Sequence, residues 1–136
     1  MGEVDVSCSC DCEQPSAYWK EIRCARKAHT CHECGGPIAP GKSYEHVFAI
    51  WDGDADTVKT CEACLALRDW VSELGGCQPC HGELVEEAVE ELRNMTGPRA
   101  SDVRRSWWRG ARLCAQAMRR QDSARDARRQ AKRKVA

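Results

Sequence analysis

The chain has 136 residues, enough for one small domain or one domain with an appendage, and it carries a single phenylalanine and few long aliphatic side chains. So thin an apolar complement rarely holds a compact fold without cross-links, metals or a partner. Its 11 cysteines are the evident remedy, and an odd total argues against a complete disulfide framework. The formal net charge of zero hides a division: residues 1–98 carry 8 basic and 18 acidic side chains, a balance of −10, while residues 99–136 carry 13 and 3, a balance of +10. This predicts an acidic body over residues 1–97 and a basic helix and tail over 98–136.

The N-terminal "MGEVDVSCSCDCEQPS" is acidic and polar, unlike a signal peptide, and no apolar stretch is long enough to span a bilayer. The expected setting is a reducing cytoplasm, where cysteine pairs bind metal more often than they form disulfides. Residues 1–30 read as mostly irregular, with one short helical turn in "QPSAYWKEIRCARKAH". From Cys31 the pattern becomes knuckle, hairpin, helix. "CHECGG" has glycines where a tight sulfur-bearing turn needs positive φ. "PIAPGKSY" predicts a short strand, a Pro-Gly turn and a second strand. In "SYEHVFAIW" the alternation sets Tyr44, His46, Phe48 and Ile50 on one face and Val47, Ala49 and Trp51 on the other. "DGDAD" turns the chain, "TVKT" returns as a short strand, and "CEACLALRDWVSEL" becomes a helix with an apolar stripe of Leu67, Trp70, Val71 and Leu74, ended by Gly75-Gly76. A second helix follows in "ELVEEAVEELRNM", and Thr96-Gly97-Pro98 breaks it. Ser101 is the expected N-cap of a long third helix, on which Val103, Trp107, Ala111, Cys114 and Met118 recur at helical spacing.

Cys31 and Cys34 form one C-x2-C pair, Cys61 and Cys64 a second, and 26 residues separate them. Two such pairs complete a tetrahedral zinc site, and the hairpin between them brings the pairs together. Cys61 and Cys64 fall in the first turn of a helix, where free N–H groups favour thiolates. Knuckle, hairpin and helix-borne ligands in this order predict a small zinc-stabilised α+β fold of treble-clef type. Four thiolates leave no open coordination position, so this zinc should be structural. Cys77 and Cys80 are a third pair, which needs two more ligands for a second zinc. Cys8, Cys10 and Cys12 offer them, with Cys24 and His81 as substitutes. "CQPCH" also matches a haem-attachment pattern, but that chemistry requires export. "DGDAD" fails as a calcium loop, because the sixth position is Thr57 and the twelfth Ala63.

The strings at Ala25–Glu45 ("ARKAHTCHECGGPIAPGKSYE"), Trp51–Gly53 ("WDG") and Lys59–Cys64 ("KTCEAC") resemble small cysteine-rich proteins encoded by tailed bacteriophages and prophages of Gram-negative bacteria. The resemblance covers roughly residues 8–92 and extends loosely to Cys8, Cys10 and Asp11 and to "GELVEEAVEEL". It implies phage origin and metal binding but no particular reaction; with the polar N-terminus, the expected place of action is then the host bacterial cytoplasm. It also favours Cys8 and Cys10 over Cys12 as partners of Cys77 and Cys80. The helix from Ser101 onward lies outside the resemblance.

That last helix is dominated by arginine, which suits phosphate recognition. Arg105, Arg109, Arg112, Arg119, Arg120, Arg125, Arg128, Arg129, Lys132 and Arg133 are the expected nucleic-acid contacts. The bland reading is that they pair with Glu83, Glu86, Glu87, Glu90 and Glu91 of the preceding helix. Length opposes a full match: the acidic helix spans roughly 20 Å and a helix from Ser101 to Gln130 roughly 45 Å, so Arg119–Lys134 should project into solvent. Trp107 is expected in the core and Trp108 outside it. The Val103–Met118 stripe could also form a homodimer. Catalysis is not expected. An HNH-type nuclease would need a histidine base beside further metal ligands, and His46 next to Glu45 is the nearest approach. The sequence thus predicts a non-enzymatic zinc protein that binds DNA or RNA. The alternative is an inhibitor or adaptor of host machinery (a polymerase, a nuclease or a defence complex such as CRISPR) whose acidic body, with Asp52, Asp54 and Asp56, mimics nucleic acid.

Overall fold

The computed structural model describes residues 15–75, 80–95 and 101–135. Among the described residues it is a small α+β fold with five strands and three helices. Strands β1 (Ala17–Cys24), β4 (Ser43–Trp51) and β5 (Asp54–Cys61) form an antiparallel sheet in the order β1-β4-β5. Strands β2 (His29–Thr30) and β3 (Pro37–Ile38) form a separate two-stranded ladder that carries the first cysteine pair between them. Helices α1 (Glu62–Gly75), α2 (Leu84–Asn94) and α3 (Ser101–Val135) follow. No helix among the described residues is long and apolar enough to cross a membrane.

Strand β1 corrects the expectation of an irregular segment with a helical turn. Tyr18, Trp19 and Ile22 favour a pleated backbone, and β4 supplies an eight-residue partner running from Ile50 opposite Ala17 to Ser43 opposite Cys24. The turn after β4 is shorter than expected. Asp52 (φ 49°) and Gly53 (φ 81°) both take positive φ, which completes a hairpin in two residues. Strand β5 therefore starts at Asp54 and absorbs Asp54 and Asp56, which the sequence pattern assigns to the loop. The alternation in β4 holds: Val47 and Ala49 are fully buried, while Phe48 between them is exposed.

One core gathers residues from every helix. Leu67, Trp70 and Val71 of α1, Leu84, Val85 and Ala88 of α2, and Cys114 and Ala117 of α3 close around Cys31, Cys34 and Cys64, with Ile38 and Tyr44 from the strands. Leu74, expected on the α1 stripe, lies at the exposed edge. On α3 the expected stripe is displaced. Trp107 and Ala111 are only half-buried and Met118 is exposed, whereas Gly110, Cys114 and Ala117 face inward. The reason is steric: α3 runs against the Trp70 indole, and only small residues admit that approach. A Cβ on Gly110 would lie 2.0 Å from Cζ2 of Trp70. The indole Nε1 also donates to the Ser106 carbonyl at 2.9 Å, which fixes its depth.

Candidate metal centre

The knuckle between β2 and β3 is built by backbone hydrogen bonds. The amide of Cys31 donates to the Gly36 carbonyl at 2.8 Å, and that of Gly35 donates to the Cys31 carbonyl at 2.9 Å. Gly35 takes φ +71°, a conformation L side chains resist. The His32 amide donates to the Lys59 carbonyl at 2.7 Å, tying the knuckle to β5 just before Cys61. Cys61 ends that strand and Cys64 lies in the first turn of α1.

These tethers bring the sulfurs of Cys31, Cys34, Cys61 and Cys64 within 4.8 Å of one another. Cys34 and Cys61 are 3.9 Å apart. A tetrahedral ion with sulfur bonds of about 2.3 Å has sulfur–sulfur edges of about 3.8 Å, so the quartet matches one four-coordinate metal ion. Cys31, Cys34 and Cys64 are buried and Cys61 is half-buried. Amides of Gly36 and Cys61 donate to Cys34 and Cys31 sulfurs at 3.4 Å each, the hydrogen bonds that stabilise sulfur anions. Hydrogen bonds from Cys31, Cys61 and Cys64 hold the Cys34 thiol far below the usual thiol range. Cys34 pushes Cys31 up, yet donations from Cys61 and Cys64 outweigh it and bring Cys31 down to about 7. Cys61 and Cys64, as donors to Cys31 and Cys34, are raised. In the metal-free quartet, then, the negative charge rests on the knuckle pair, Cys34 and Cys31, and the protons on Cys61 and Cys64.

Two further side chains complete the surroundings. Glu33, for which the sequence alone predicts no role, stands between the knuckle cysteines, is buried, and accepts hydrogen bonds from the amides of Gly82 (2.8 Å) and Leu84 (3.1 Å). It thereby caps α2, whose own N-cap residue Glu83 makes no side-chain cap. Arg120, expected to meet nucleic acid, is instead half-buried on α3, and its Nη2 donates to the Cys64 sulfur at 3.6 Å. This corrects the expectation that Arg119–Lys134 stands clear of the body. Beyond α2, α3 continues across the knuckle: Arg120 lies over Gly36, and Ala124 and Arg128 lie over Gly35. The signal is present in the sequence, because Gly110, Ala117 and Ala124 repeat small residues every seven positions along one side of the helix.

The other expected nucleic-acid contacts, Arg105, Arg109, Arg112, Arg119, Arg125, Arg128, Arg129, Lys132 and Arg133, are all exposed along α3. Arg109 pairs with Glu73 of α1 at 3.3 Å, and Arg125 with Asp122 at 3.9 Å. Among the described residues, no glutamate of α2 forms an ion pair with α3. Glu45 and His46 do not share a site. Glu45 is buried and bonded to Arg68 of α1 at 2.6 Å, whose other amino group donates to Thr60 at 3.2 Å, while His46 belongs to the opposite face of β4. Of the second expected metal site, Cys8, Cys10, Cys12 and Cys77 lie outside the described residues. Cys80 is disulfide-bonded, Cys24 is exposed and His81 packs between Tyr18 and Trp51. No second site of thiolates forms among the described residues.

Comparison with protein-family models, curated proteins and solved structures finds no match to this chain.

Proposed function

We propose that this is a zinc-binding protein that engages nucleic acid through the exposed basic side of α3. Zinc is the metal expected of a four-thiolate tetrahedral quartet, and the order of knuckle, β4–β5 hairpin and helix-borne Cys64 supports a treble-clef reading of the body. The ion would be structural, holding the β2–β3 knuckle to α1. The motif resemblance from Ala25 to Cys64 supports a phage-encoded protein acting in the bacterial cytoplasm.

The observation that carries the nucleic-acid reading is the scarcity of internal neutralisation. A helix of 35 residues, about 52 Å long, presents nine exposed arginine and lysine side chains of the set above, and among the described residues only Arg109 and Arg125 of that set have acidic partners. Because Arg120 and Ala124 lie against the knuckle, truncating the helix would disturb the metal centre as well as the charge. Neutralisation is the cleaner test. Zinc-loaded protein should bind labelled DNA or RNA with an affinity that falls steeply with salt. Changing Arg125, Arg129, Lys132, Arg133 and Lys134 to glutamine should flatten the log–log salt dependence by roughly 0.7–0.9 for each phosphate that the variant no longer neutralises. An unchanged slope would remove α3 from the interface.

A second reading, an adaptor for a basic host surface, draws on the exposed Glu86 and Glu90 of α2 and the exposed Asp52, Asp54 and Asp56. Capture of one host protein from nuclease-treated lysate, abolished by changing those five residues to Asn or Gln, would favour it.

A further inference from the structure

On α3 the inward line is Gly110, Cys114 and Ala117. At about 100° per residue, positions 105, 108, 109 and 112 fall on the outward side. That side of an amphipathic helix ordinarily carries mostly charged and polar residues. Here an indole stands among three guanidinium groups. Trp108 is 59% exposed, and with Arg105, Arg109 and Arg112 it lines one open surface cleft.

The group is held in place. Trp107 packs edge-on against Trp108 with ring centroids 4.8 Å apart and planes at 85°. Glu73 of α1 anchors the Arg109 guanidinium at 3.3 Å. Three positive charges face one carboxylate, so the cleft keeps an excess of two and favours a polyanion. The indole narrows the choice further. Ring faces are sequence-tolerant platforms for unpaired bases, whereas bases inside a duplex already stack on one another. Phosphates beside the stacked base would meet guanidinium groups one and two helical turns apart.

We propose that the Arg105–Trp108–Arg112 side of α3 binds single-stranded nucleic acid, with a base stacked on Trp108 and the adjoining phosphates on Arg105, Arg109 and Arg112. This rests on the nucleic-acid reading above and specifies the form of the ligand. The test uses full-length zinc-loaded protein and fluorescence anisotropy with a labelled oligo-dT strand and with a labelled duplex of equal length. Trp108→Leu keeps an apolar side chain but removes the stacking face, and Trp108→Phe restores a ring. Position 108 lies outside the core, and far-UV circular dichroism checks the fold of both variants. The expected result is tighter binding of the single strand, an approximately tenfold loss with Trp108→Leu, recovery of most of it with Trp108→Phe, and no effect of either change on duplex binding. Salt-dependent binding that is equal for both forms and indifferent to Trp108→Leu would overturn this inference while leaving the nucleic-acid reading intact. Absence of salt-dependent binding to either form would overturn both.

Discussion

At Gly110 the backbone of α3 meets the indole of Trp70, which is fully buried and hydrogen-bonded to Ser106. Two effects oppose each other in Gly110→Ala. Alanine favours the helix by about 1 kcal/mol. Its Cβ would come 2.0–2.6 Å from three ring atoms of a side chain that cannot retreat, and overpacking of that kind costs about 1–3 kcal/mol or more. The steric cost should win, leaving a net destabilisation of about 1–2 kcal/mol in denaturant unfolding of the zinc-loaded protein; a gain would show that the helix does not lie on the ring. Arg120 is the second residue whose effect reaches beyond its own hydrogen bond. Four thiolates on a divalent ion leave an excess of two negative charges, and Arg120 donates to one of those sulfurs. Arg120→Gln should raise the rate or extent of metal loss to a chromogenic chelator by roughly ten- to a hundredfold. Arg120→Lys should recover part of that retention, since it restores charge without the planar fork. In the cobalt-substituted protein the sulfur-to-metal charge-transfer band should shift with Arg120→Gln, which a purely structural role for the arginine would not produce.

Between elements, the most consequential tie is Glu33, which couples the knuckle to the N-terminus of α2. Glu33→Ala would leave the amides of Gly82 and Leu84 without their acceptors, at about 1–2 kcal/mol for a missing cap. Hydrogen exchange should show the first turn of α2 losing protection before α1 does; uniform deprotection across both helices would mean that the carboxylate acts only on global stability. Glu33 also marks the limit of what the sequence discloses. The C-x2-C pairs, the hairpin and all three helices are legible because spacing and periodicity are local properties. The cap is not legible, because its donors stand 49 and 51 positions from the acceptor. Strand β1 is hidden for a related reason: "AYWKEIRC" alternates only weakly, and what makes it a strand is the neighbouring edge of β4. The path of α3 is half legible. Charge and length suggest a projecting arm, but the seven-residue spacing of Gly110, Ala117 and Ala124 marks where the helix presses on α1 and the knuckle.

Taken as a whole, the molecule has sulfur at its centre. Three of the four quartet cysteines lie in the same core as Trp70, Leu67 and Leu84, so the cysteine quartet and the apolar interior form one structure. Removal of zinc by a chelator under reducing conditions should therefore abolish the near-ultraviolet signal of the packed tryptophans, leave part of the helical signal, and reverse on zinc addition. The proton balance gives a sharper measurement. With Cys34 ionised and Cys31 at about 7, the metal-free quartet near pH 8 holds its protons mainly on Cys61 and Cys64, so zinc uptake should release about two protons. Below pH 7 Cys31 is protonated as well, the release rises toward about three, and affinity falls more steeply as the solution is acidified. Calorimetric titration with zinc, in buffers of differing ionisation enthalpy, counts these protons directly. Release of about three or more at pH 8, the number held by four thiols of ordinary pKa about 8.5, would show that the folded chain does not share protons among the four thiols before the metal arrives, and that zinc organises the quartet from an unstructured start.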